Sequence, residues 1–178
     1  AYCPSSPSDA QHRGVQTIFQ QPALLPNLSV AENLCIGAWP FRHGRFLHVD
    51  WKAIYAQAEE SFCELGCRID VHAAAQELNL AQQRLVELVK VSRSDARVLI
   101  VDELDSVLTV QELAPVFRVL RSLRARGMSV LYISHRIESL AELCDRVCII
   151  SEGQIKDTLD AGDPDSRGRL IERLCRAP

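Results

Sequence analysis

The chain has 178 residues, of which 47% are hydrophobic and 24% charged, and its 20 Lys+Arg against 23 Asp+Glu give a formal net charge of -3. That length suits a single domain with a sizeable core, and the nearly even charge balance argues against a nucleic-acid partner, since phosphate backbones attract strongly basic surfaces. The longest apolar runs, such as residues 98–101, are far shorter than the roughly 20 residues of a membrane-spanning helix, so a soluble domain is expected.

The first half of the chain predicts one strand and a series of helices. A loop rich in Pro and Ser opens the sequence, and residues 15–19 have strand propensity. Ser29 lies three residues before Glu32, which is the spacing of a reciprocal capping box, so a short helix is expected to begin there. Apolar residues recur every three or four positions over 51–65, which predicts a helix that ends at Gly66.

The second half predicts a strand-helix-strand unit. A helix over about 80–90 precedes the fully apolar run at 98–101, and such a run is typical of a parallel strand covered on both faces. A periodic segment that ends at Gly127 and a second apolar strand over 129–133 complete the unit. Three further elements are expected after it: a helix over 137–143, a strand over 147–151 and a closing helix near Leu170.

Polar side chains follow both apolar strands of this unit. Asp102 and Glu103 close the first strand, and Ser134 and His135 follow the second. Because functional groups collect beyond the carboxyl ends of parallel strands, we expect the two acids and the imidazole at one edge of the sheet. Adjacent acids suit metal-assisted phosphoryl transfer, in which one carboxylate anchors Mg²⁺ and the other orients or activates water. A turn or helix cap for the acids, and an ordinary polar role for His135, stay open as alternatives.

Five motifs stand in a fixed order along the chain. They are Gln20 after a strand, the polar segment 78–83 that opens a helix, the strand closed by Asp102 and Glu103, the segment 106–109 and the segment 133–135. In this order they resemble an ATP-binding cassette (ABC) ATPase, and more closely the first nucleotide-binding domain of carbohydrate importers of the ribose, galactose and xylose type. The autoinducer-2 importer ATPases are a close second. The resemblance covers about residues 6–175. The short segments that most resemble this subfamily are 26–33, 49–52, 83–87 and 132–136.

The resemblance implies an α/β fold with a P-loop NTPase-like core, a mainly parallel sheet and a helical subdomain. Residues 1–178 would form a partial nucleotide-binding domain. About 22–92 would be the helical subdomain with the Q-loop and the signature, and about 93–178 the part with the Walker B, D-loop and switch-histidine motifs. The seven cysteines, an odd number set in apolar contexts, agree with reduced thiols in the cytoplasm.

The resemblance also implies cofactors and partners. The cofactors are ATP and Mg²⁺. The partners are a second nucleotide-binding domain, as a dimer or a tandem cassette, and integral-membrane permease subunits. The expected location is therefore cytoplasmic, and peripheral at the inner face of the cell membrane through the permease.

Four residues take roles in hydrolysis if the resemblance holds. Gln20 falls at the Q-loop glutamine, which senses Mg²⁺ and the attacking water and couples the site to the membrane subunit. Asp102 matches the Walker B aspartate that holds Mg²⁺ through water. Glu103 matches the catalytic carboxylate, and His135 matches the switch histidine near the γ-phosphate.

Other residues would meet the nucleotide of a partner domain. The resemblance places Asn79, Ala81 and Gln82 in the signature motif, which completes the opposing site at the start of a helix. Ser106 and Thr109 lie in the D-loop, which meets the partner domain across the dimer.

Three features depart from the family pattern. The sequence contains no Gly-x-x-x-x-Gly-Lys-Ser/Thr, the loop whose amides and lysine cradle phosphates, so we expect a chain without the amino-terminal part of its domain. Ala81 stands where the signature has glycine, and adds a methyl where backbone would approach phosphate. Leu104 and Asp105 replace the usual Pro-Thr after the acid pair, and the Asp105 carboxylate is expected either near the phosphates, where it would repel nucleotide, or in solvent.

Two functions follow from this pattern. The first is an ATP-binding and ATP-hydrolysing subunit of a sugar-type ABC importer, in which hydrolysis drives solute uptake. The second is a non-catalytic nucleotide-binding domain, degenerate or truncated, that serves as a docking or structural module on a permease. The motif set with Gln20, Asp102, Glu103 and His135 favours the first, and the missing phosphate loop with the altered signature favours the second for the isolated chain.

Overall fold

The computed structural model describes residues 3–37, 39–42 and 48–160. In chain order its elements are α1 (Pro7–His12), β1 (Val15–Ile18), α2 (Val30–Cys35), β2 (Phe41–Arg42), β3 (His48–Val49), α3 (Trp51–Glu64), a 3-10 turn (Ala75–Glu77), α4 (Leu80–Ser92), β4 (Val98–Asp102), α5 (Val110–Ala125), β5 (Ser129–Ile133), α6 (Ile137–Leu143), β6 (Arg146–Ser151) and β7 (Gln154–Asp160). The helix predicted near Leu170 lies outside the described residues. Across the described ranges, every helix is too short or too polar to traverse a bilayer.

Three strands form a parallel sheet in the order β1-β4-β5. Val15 pairs with Val98, and Val98 pairs in turn with Ser129, so the three strands finish at one edge. α5 connects β4 to β5, which confirms the strand-helix-strand unit predicted for the second half of the chain. The pairs β2–β3 and β6–β7 are antiparallel and separate from this sheet. The predicted α/β fold with a parallel sheet is therefore confirmed.

The main core lies on one face of the parallel sheet. Leu99 and Val101 of β4 are fully buried and alternate with half-buried neighbours, as in a strand whose two faces have different surroundings. α5 packs against β5, and α4 packs against both α5 and β1. Phe117 of α5 meets Tyr132 of β5 edge to face, with ring centroids 6.1 Å apart. On the opposite face Leu131 is exposed.

The helices α2, α3 and α4 pack together, with α2 in contact with both of the others. The predicted capping box begins α2: the Ser29 hydroxyl accepts from the Glu32 amide at 3.2 Å, and the Glu32 carboxylate accepts from the Ser29 amide at 2.7 Å. Asn33 is fully buried, and its carboxamide accepts from the Leu25 amide at 2.8 Å and donates to the Leu25 carbonyl at 3.0 Å. This pair of bonds ties the preceding loop to α2. Gly66, with φ 67°, ends α3 as predicted.

Three parts of the fold differ from the expectation. The apolar strands were expected to be buried on both faces, but Leu131 and Ile133 of β5 are exposed. The opening segment was expected to be a loop, but it contains α1, because Ser6 caps the helix by accepting from the Asp9 amide at 3.1 Å and Pro7 suits its first position. The strand over 147–151 was expected without a partner strand beyond it. β7 pairs with β6 through a turn in which Glu152 and Gly153 have φ of 51° and 73°, the backbone region typical of tight hairpins.

Candidate active site

The acid pair and the imidazole meet at the edge where the parallel strands end. Gln20 follows β1, Glu103 follows β4 and His135 follows β5. The Gln20 amide donates to Glu103 Oε2 at 3.2 Å, and His135 Nδ1 lies 3.5 Å from Glu103 Oε1. The Glu103 carboxylate thus stands between a glutamine and a histidine that are 83 and 32 positions away in the sequence. The predicted meeting of the acids and the imidazole at one edge is confirmed as geometry.

The backbone at Glu103 has a conformation that non-glycine residues seldom adopt. Its φ is 44°, and residues in this region cost roughly 1–3 kcal/mol and collect at functional sites. The Glu103 amide donates to the Ile133 carbonyl at 2.9 Å, which fastens the turn to β5. On the other side, the Ser106 hydroxyl donates to the Glu103 carbonyl at 3.0 Å. These contacts hold the strained residue in place after the strand.

Asp102 is the last residue of β4 and is half-buried. Within the described residues its carboxylate makes no hydrogen bond or ion pair, so its oxygens remain free to bind a cation. The same residues contain no cluster of three or more His, Cys, Asp or Glu side chains that could enclose a metal ion. Any cation at this edge would therefore take most of its ligands from water or from a bound substrate, which is the habit of Mg²⁺.

A buried ion pair anchors the segment that carries Gln20. Arg84 of α4 has a fully buried side chain, and its Nη1 lies 2.8 Å from Glu87 Oε2, one helical turn away. The Arg84 guanidinium also donates to the carbonyl of Phe19, at 2.8 Å, and to that of Gln20. Glu87 accepts from the Ala23 amide at 2.8 Å. The pair thus binds α4 to the backbone of residues 19, 20 and 23 after β1, and we call it the Arg84–Glu87 clamp.

Sequence reasoning missed the Arg84–Glu87 clamp. The available signal was a pair of opposite charges three residues apart on α4, interleaved with the buried Leu85 and Leu88. Charges at buried positions of a helix need a partner, since an unpaired buried charge is strongly unfavourable. In the sequence, residues 83–87 are recognisable only as a segment that resembles the family.

The predicted signature residues form the start of α4. Asn79 accepts from the Gln82 amide at 2.9 Å, and the Gln82 side chain accepts from the Asn79 amide at 3.0 Å, so the two form a capping box. Ala81 is only 6% exposed, and its methyl group packs in the core. Gln83 donates to the Leu78 carbonyl at 3.1 Å and steadies the approach to the helix. These residues thus define the start of α4 through a reciprocal capping box.

Of the two positions expected for Asp105, the one in solvent is wrong, because Asp105 is completely buried, as is the neighbouring Leu104. The Ser134 hydroxyl lies 2.8 Å and 3.0 Å from the two oxygens of the Asp105 carboxylate. Burial, and after it the nearby Asp105 carboxylate, raise the pKa of Tyr132 far above its usual range. The Asp105 carboxylate is therefore enclosed by the protein, with Ser134 as its hydrogen-bond donor.

The remaining predicted D-loop residue begins a helix. Thr109 caps α5: its amide and hydroxyl donate to the Glu112 carboxylate at 2.9 Å and 2.8 Å. These two hydrogen bonds hold the pKa of Glu112 below its usual value. The segment from Glu103 to Thr109 is thus fixed at both ends, by the turn at Ser106 and by the helix cap.

Comparisons with known proteins give the family. No protein-family model matches the chain. A ribose import ATP-binding protein of Streptomyces avermitilis is 41% identical over 170 residues, which are 94% of this chain and 33% of that protein. An arabinose import ATP-binding protein of Azospirillum brasilense is 38% identical over 162 residues, 91% of this chain and 31% of that protein. The chain therefore spans about a third of the length of the curated relatives it matches.

Solved structures share the fold. A nucleotide-free ATP-binding cassette from an ABC transporter superposes with a TM-score of 0.74 and 21% identity, over 98% of this chain and 69% of that one. The ADP conformation of an ABC transporter cassette gives a TM-score of 0.71 and 22% identity, over 94% of this chain and 72% of that one. The structural similarity shows the fold of the chain, and the sequence relatives show its family. The sequence relatives, at 38–41% identity over most of the chain, show that this chain belongs to the ABC ATPase family.

Proposed function

We propose that this chain is part of an ATP-hydrolysing subunit of a sugar-type ABC importer, in which hydrolysis drives solute uptake. One observation carries the proposal: the Glu103 carboxylate lies between Gln20 and His135 at the strand edge where Asp102 is free to bind a cation. The sugar-import names of the sequence relatives supply the transport part of the proposal.

In this mechanism Glu103 acts on the water that attacks the γ-phosphate in line. Its carboxylate accepts a hydrogen bond from Gln20 and faces the His135 imidazole, and both contacts limit its rotation. A carboxylate so held orients the water and accepts its proton as the new bond to the γ-phosphorus forms and the bond from that phosphorus to the bridging oxygen breaks, so that ADP leaves. His135 has a 65% exposed side chain, so it can also donate a hydrogen bond toward a bound phosphate. Gln20 links the same carboxylate to the segment held by the Arg84–Glu87 clamp.

Mg²⁺ fits the residues at this edge. Asp102 offers a carboxylate with no hydrogen-bond partner among the described residues, and oxygen is the ligand that Mg²⁺ prefers. Asp102 would hold the ion, with Gln20 beside it. When bound, the ion would neutralise charge on the phosphate oxygens.

The proposed partners follow from the family. A second nucleotide-binding domain would receive the helix start at Asn79, Ala81 and Gln82 and the turn at Ser106. Permease subunits would bind the helical part over about 22–92, leaving about 93–178 for the strand-end residues. The protein would then work in the cytoplasm, at the inner face of the cell membrane.

The test is the substitution Glu103→Gln in the importer assembled with a complete nucleotide-binding domain. We expect nucleotide binding to persist while hydrolysis falls several hundredfold or more, and a thousandfold loss corresponds to about 4 kcal/mol. Glu142→Gln is the matched control, because Glu142 is an exposed carboxylate paired with Arg121 on the surface. Turnover near wild type for Glu103→Gln would remove Glu103 from the mechanism and favour a purely structural cap.

The second function is a non-catalytic docking or structural module, and one feature favours it for the 178 residues alone. They contain no phosphate-loop motif, and the amides and lysine of that loop make most contacts with the phosphates in proteins of this class. Asp102 and Glu103 alone would present negative charge to an anionic nucleotide. We therefore expect calorimetry on this chain to show no saturable binding at micromolar Mg-ATP. Tight binding would mean that another segment replaces the phosphate loop.

A further inference from the structure

A buried polar relay lies behind the exposed His135. Asp105 is completely buried, and its carboxylate accepts from the Ser134 hydroxyl. The Ser134 oxygen in turn accepts from the Arg136 amide at 2.9 Å. Because the hydroxyl donates its single hydrogen to Asp105, its lone pair is free for the Arg136 amide. The Asp105 carboxylate therefore orients the Ser134 hydroxyl. That hydroxyl in turn fixes the Arg136 amide, which lies immediately after His135.

The Arg136 side chain makes a second connection between the same two segments. Its Nη1 lies 2.9 Å from the carbonyl of Asp105 and 2.9 Å from the carbonyl of Leu108. The guanidinium thus spans the turn that follows the acid pair. Residues on both sides of His135 are bound to the segment 105–108, one through its hydroxyl and the other through its guanidinium.

His135 itself has little else to hold it. Its side chain is 65% exposed, and its contact with Glu103 is 3.5 Å long. The position of the imidazole therefore depends on the backbone of residues 134–136. A displacement of about 1 Å at a reacting group can lower a rate by a factor on the order of 100, so the contacts that fix this backbone bear directly on hydrolysis.

We propose that Asp105 is a positioning residue, which holds the backbone around His135 through Ser134 and the segment 105–108. The inference rests on the proposed ATPase function and names a residue that its mechanism does not use. A buried carboxylate is unfavourable unless its partners are placed to receive it. At this position the carboxylate accepts from Ser134, which lies directly before the imidazole, and Arg136, which lies directly after it, donates to the main-chain carbonyl of Asp105. We call Asp105, Ser134 and Arg136 the switch brace.

The first experiment measures hydrolysis in the assembled importer with a complete nucleotide-binding domain. Asp105→Ala is expected to lower kcat roughly tenfold or more, with KM for ATP within about twofold of wild type. Asp105→Asn keeps an oxygen that can accept from Ser134, and is expected to restore kcat to within about threefold. Combined with His135→Gln, Asp105→Ala should add less than about a twofold further loss, because both changes act through one imidazole.

The second experiment needs no catalysis and uses the 178-residue chain. Ser134→Ala removes the hydroxyl that accepts from the Arg136 amide, so we expect hydrogen exchange at that amide to quicken at least about tenfold. Ser94→Ala is the matched control, since the half-buried Ser94 hydroxyl donates at 2.7 Å to the carbonyl of Val91. This control should leave exchange at Arg136 unchanged. It also separates a local effect from a general loss of stability if the Asp105 variants fold poorly.

The outcomes separate the brace from the ATPase function. An equal loss from Asp105→Ala with and without His135→Gln, or unchanged exchange at Arg136 in Ser134→Ala, would overturn the brace. If Glu103→Gln hydrolysed ATP as fast as the wild type, the proposed ATPase function would be overturned instead. The exchange measurement would still test the contacts of the brace. Strong loss in Glu103→Gln with no change in any Asp105 variant would refute the brace alone.

Discussion

The Arg84–Glu87 clamp makes a strong prediction about stability. Replacing Arg84 with alanine would leave Glu87 charged, 7% exposed, and with the Ala23 amide as its remaining hydrogen-bond donor. It would also remove the donor from the carbonyls of Phe19 and Gln20. Breaking a buried ion pair by removing one partner typically costs about 3–5 kcal/mol, which is a large share of the roughly 5–15 kcal/mol that keeps a domain folded.

Urea unfolding of the 178-residue chain measures this effect. With a slope of roughly 2–3 kcal/mol per molar urea, the loss should lower the midpoint by about 1–2 M. Arg121→Ala is the control, because Arg121 pairs with Glu142 at 2.8 Å while both side chains are about half exposed, and such surface pairs contribute only about 0–1 kcal/mol. Equal midpoint shifts for the two variants would refute the view that burial makes the clamp important. The unfolding slopes must stay equal for the comparison to hold.

Two further predictions concern thiol reactivity and the helix start at Asn79. Burial raises the pKa of the Cys67 and Cys144 thiols, so at pH 8 a smaller fraction of these thiols is ionised to the reactive thiolate. Mass spectrometry should therefore show that iodoacetamide labels the exposed Cys148 before either of them. The reverse order of labelling would contradict the burial of Cys67 and Cys144. In the assembled importer, Asn79→Ser with Ala81→Gly should raise hydrolysis at the opposing site if the natural signature is degenerate, with each site disabled in turn to assign the gain. No gain in a folded double variant would mean that the natural signature is already competent.

Local spacing predicted much of the fold because each signal concerns neighbours in the chain. The capping box of Ser29 and Glu32 needs only a separation of three residues. The apolar runs that became β4 and β5 were also evident as strands, although β5 is buried on one face only, with Leu131 and Ile133 exposed on the other. The order of strand-end residues then predicted that Glu103 and His135 would meet. β7 was not predicted, because apolar and polar residues alternate only weakly over 154–160. Its strand conformation depends instead on pairing with β6 across the turn at Gly153.

Contacts between distant segments could not be predicted in the same way. The Arg84–Glu87 clamp joins α4 to backbone carbonyls and an amide more than 60 positions earlier. Every residue contributes the same kind of backbone carbonyl, so no sequence pattern shows which carbonyl a guanidinium will bind. The same reason conceals the contact of Arg136 with the carbonyls of residues 105 and 108.

Three carboxylates within four residues show how far burial decides chemistry. Asp102 ends a strand with its oxygens free among the described residues, Glu103 is turned toward Gln20 and His135 by a left-handed backbone, and Asp105 is enclosed with Ser134. The sequence gives all three the same charge and nearly the same place. Their separation arises from the turn after β4, in which Glu103 has a positive φ and Ser106 binds back to the Glu103 carbonyl, so that Asp102 stays at the strand end, Glu103 faces Gln20 and His135, and Asp105 faces the interior. A carboxylate that faces the interior cannot act on a bound phosphate directly. In the proposed brace its influence on hydrolysis passes through Ser134, which donates to it directly before His135, while Arg136, directly after His135, is held by the main-chain carbonyl of the same residue.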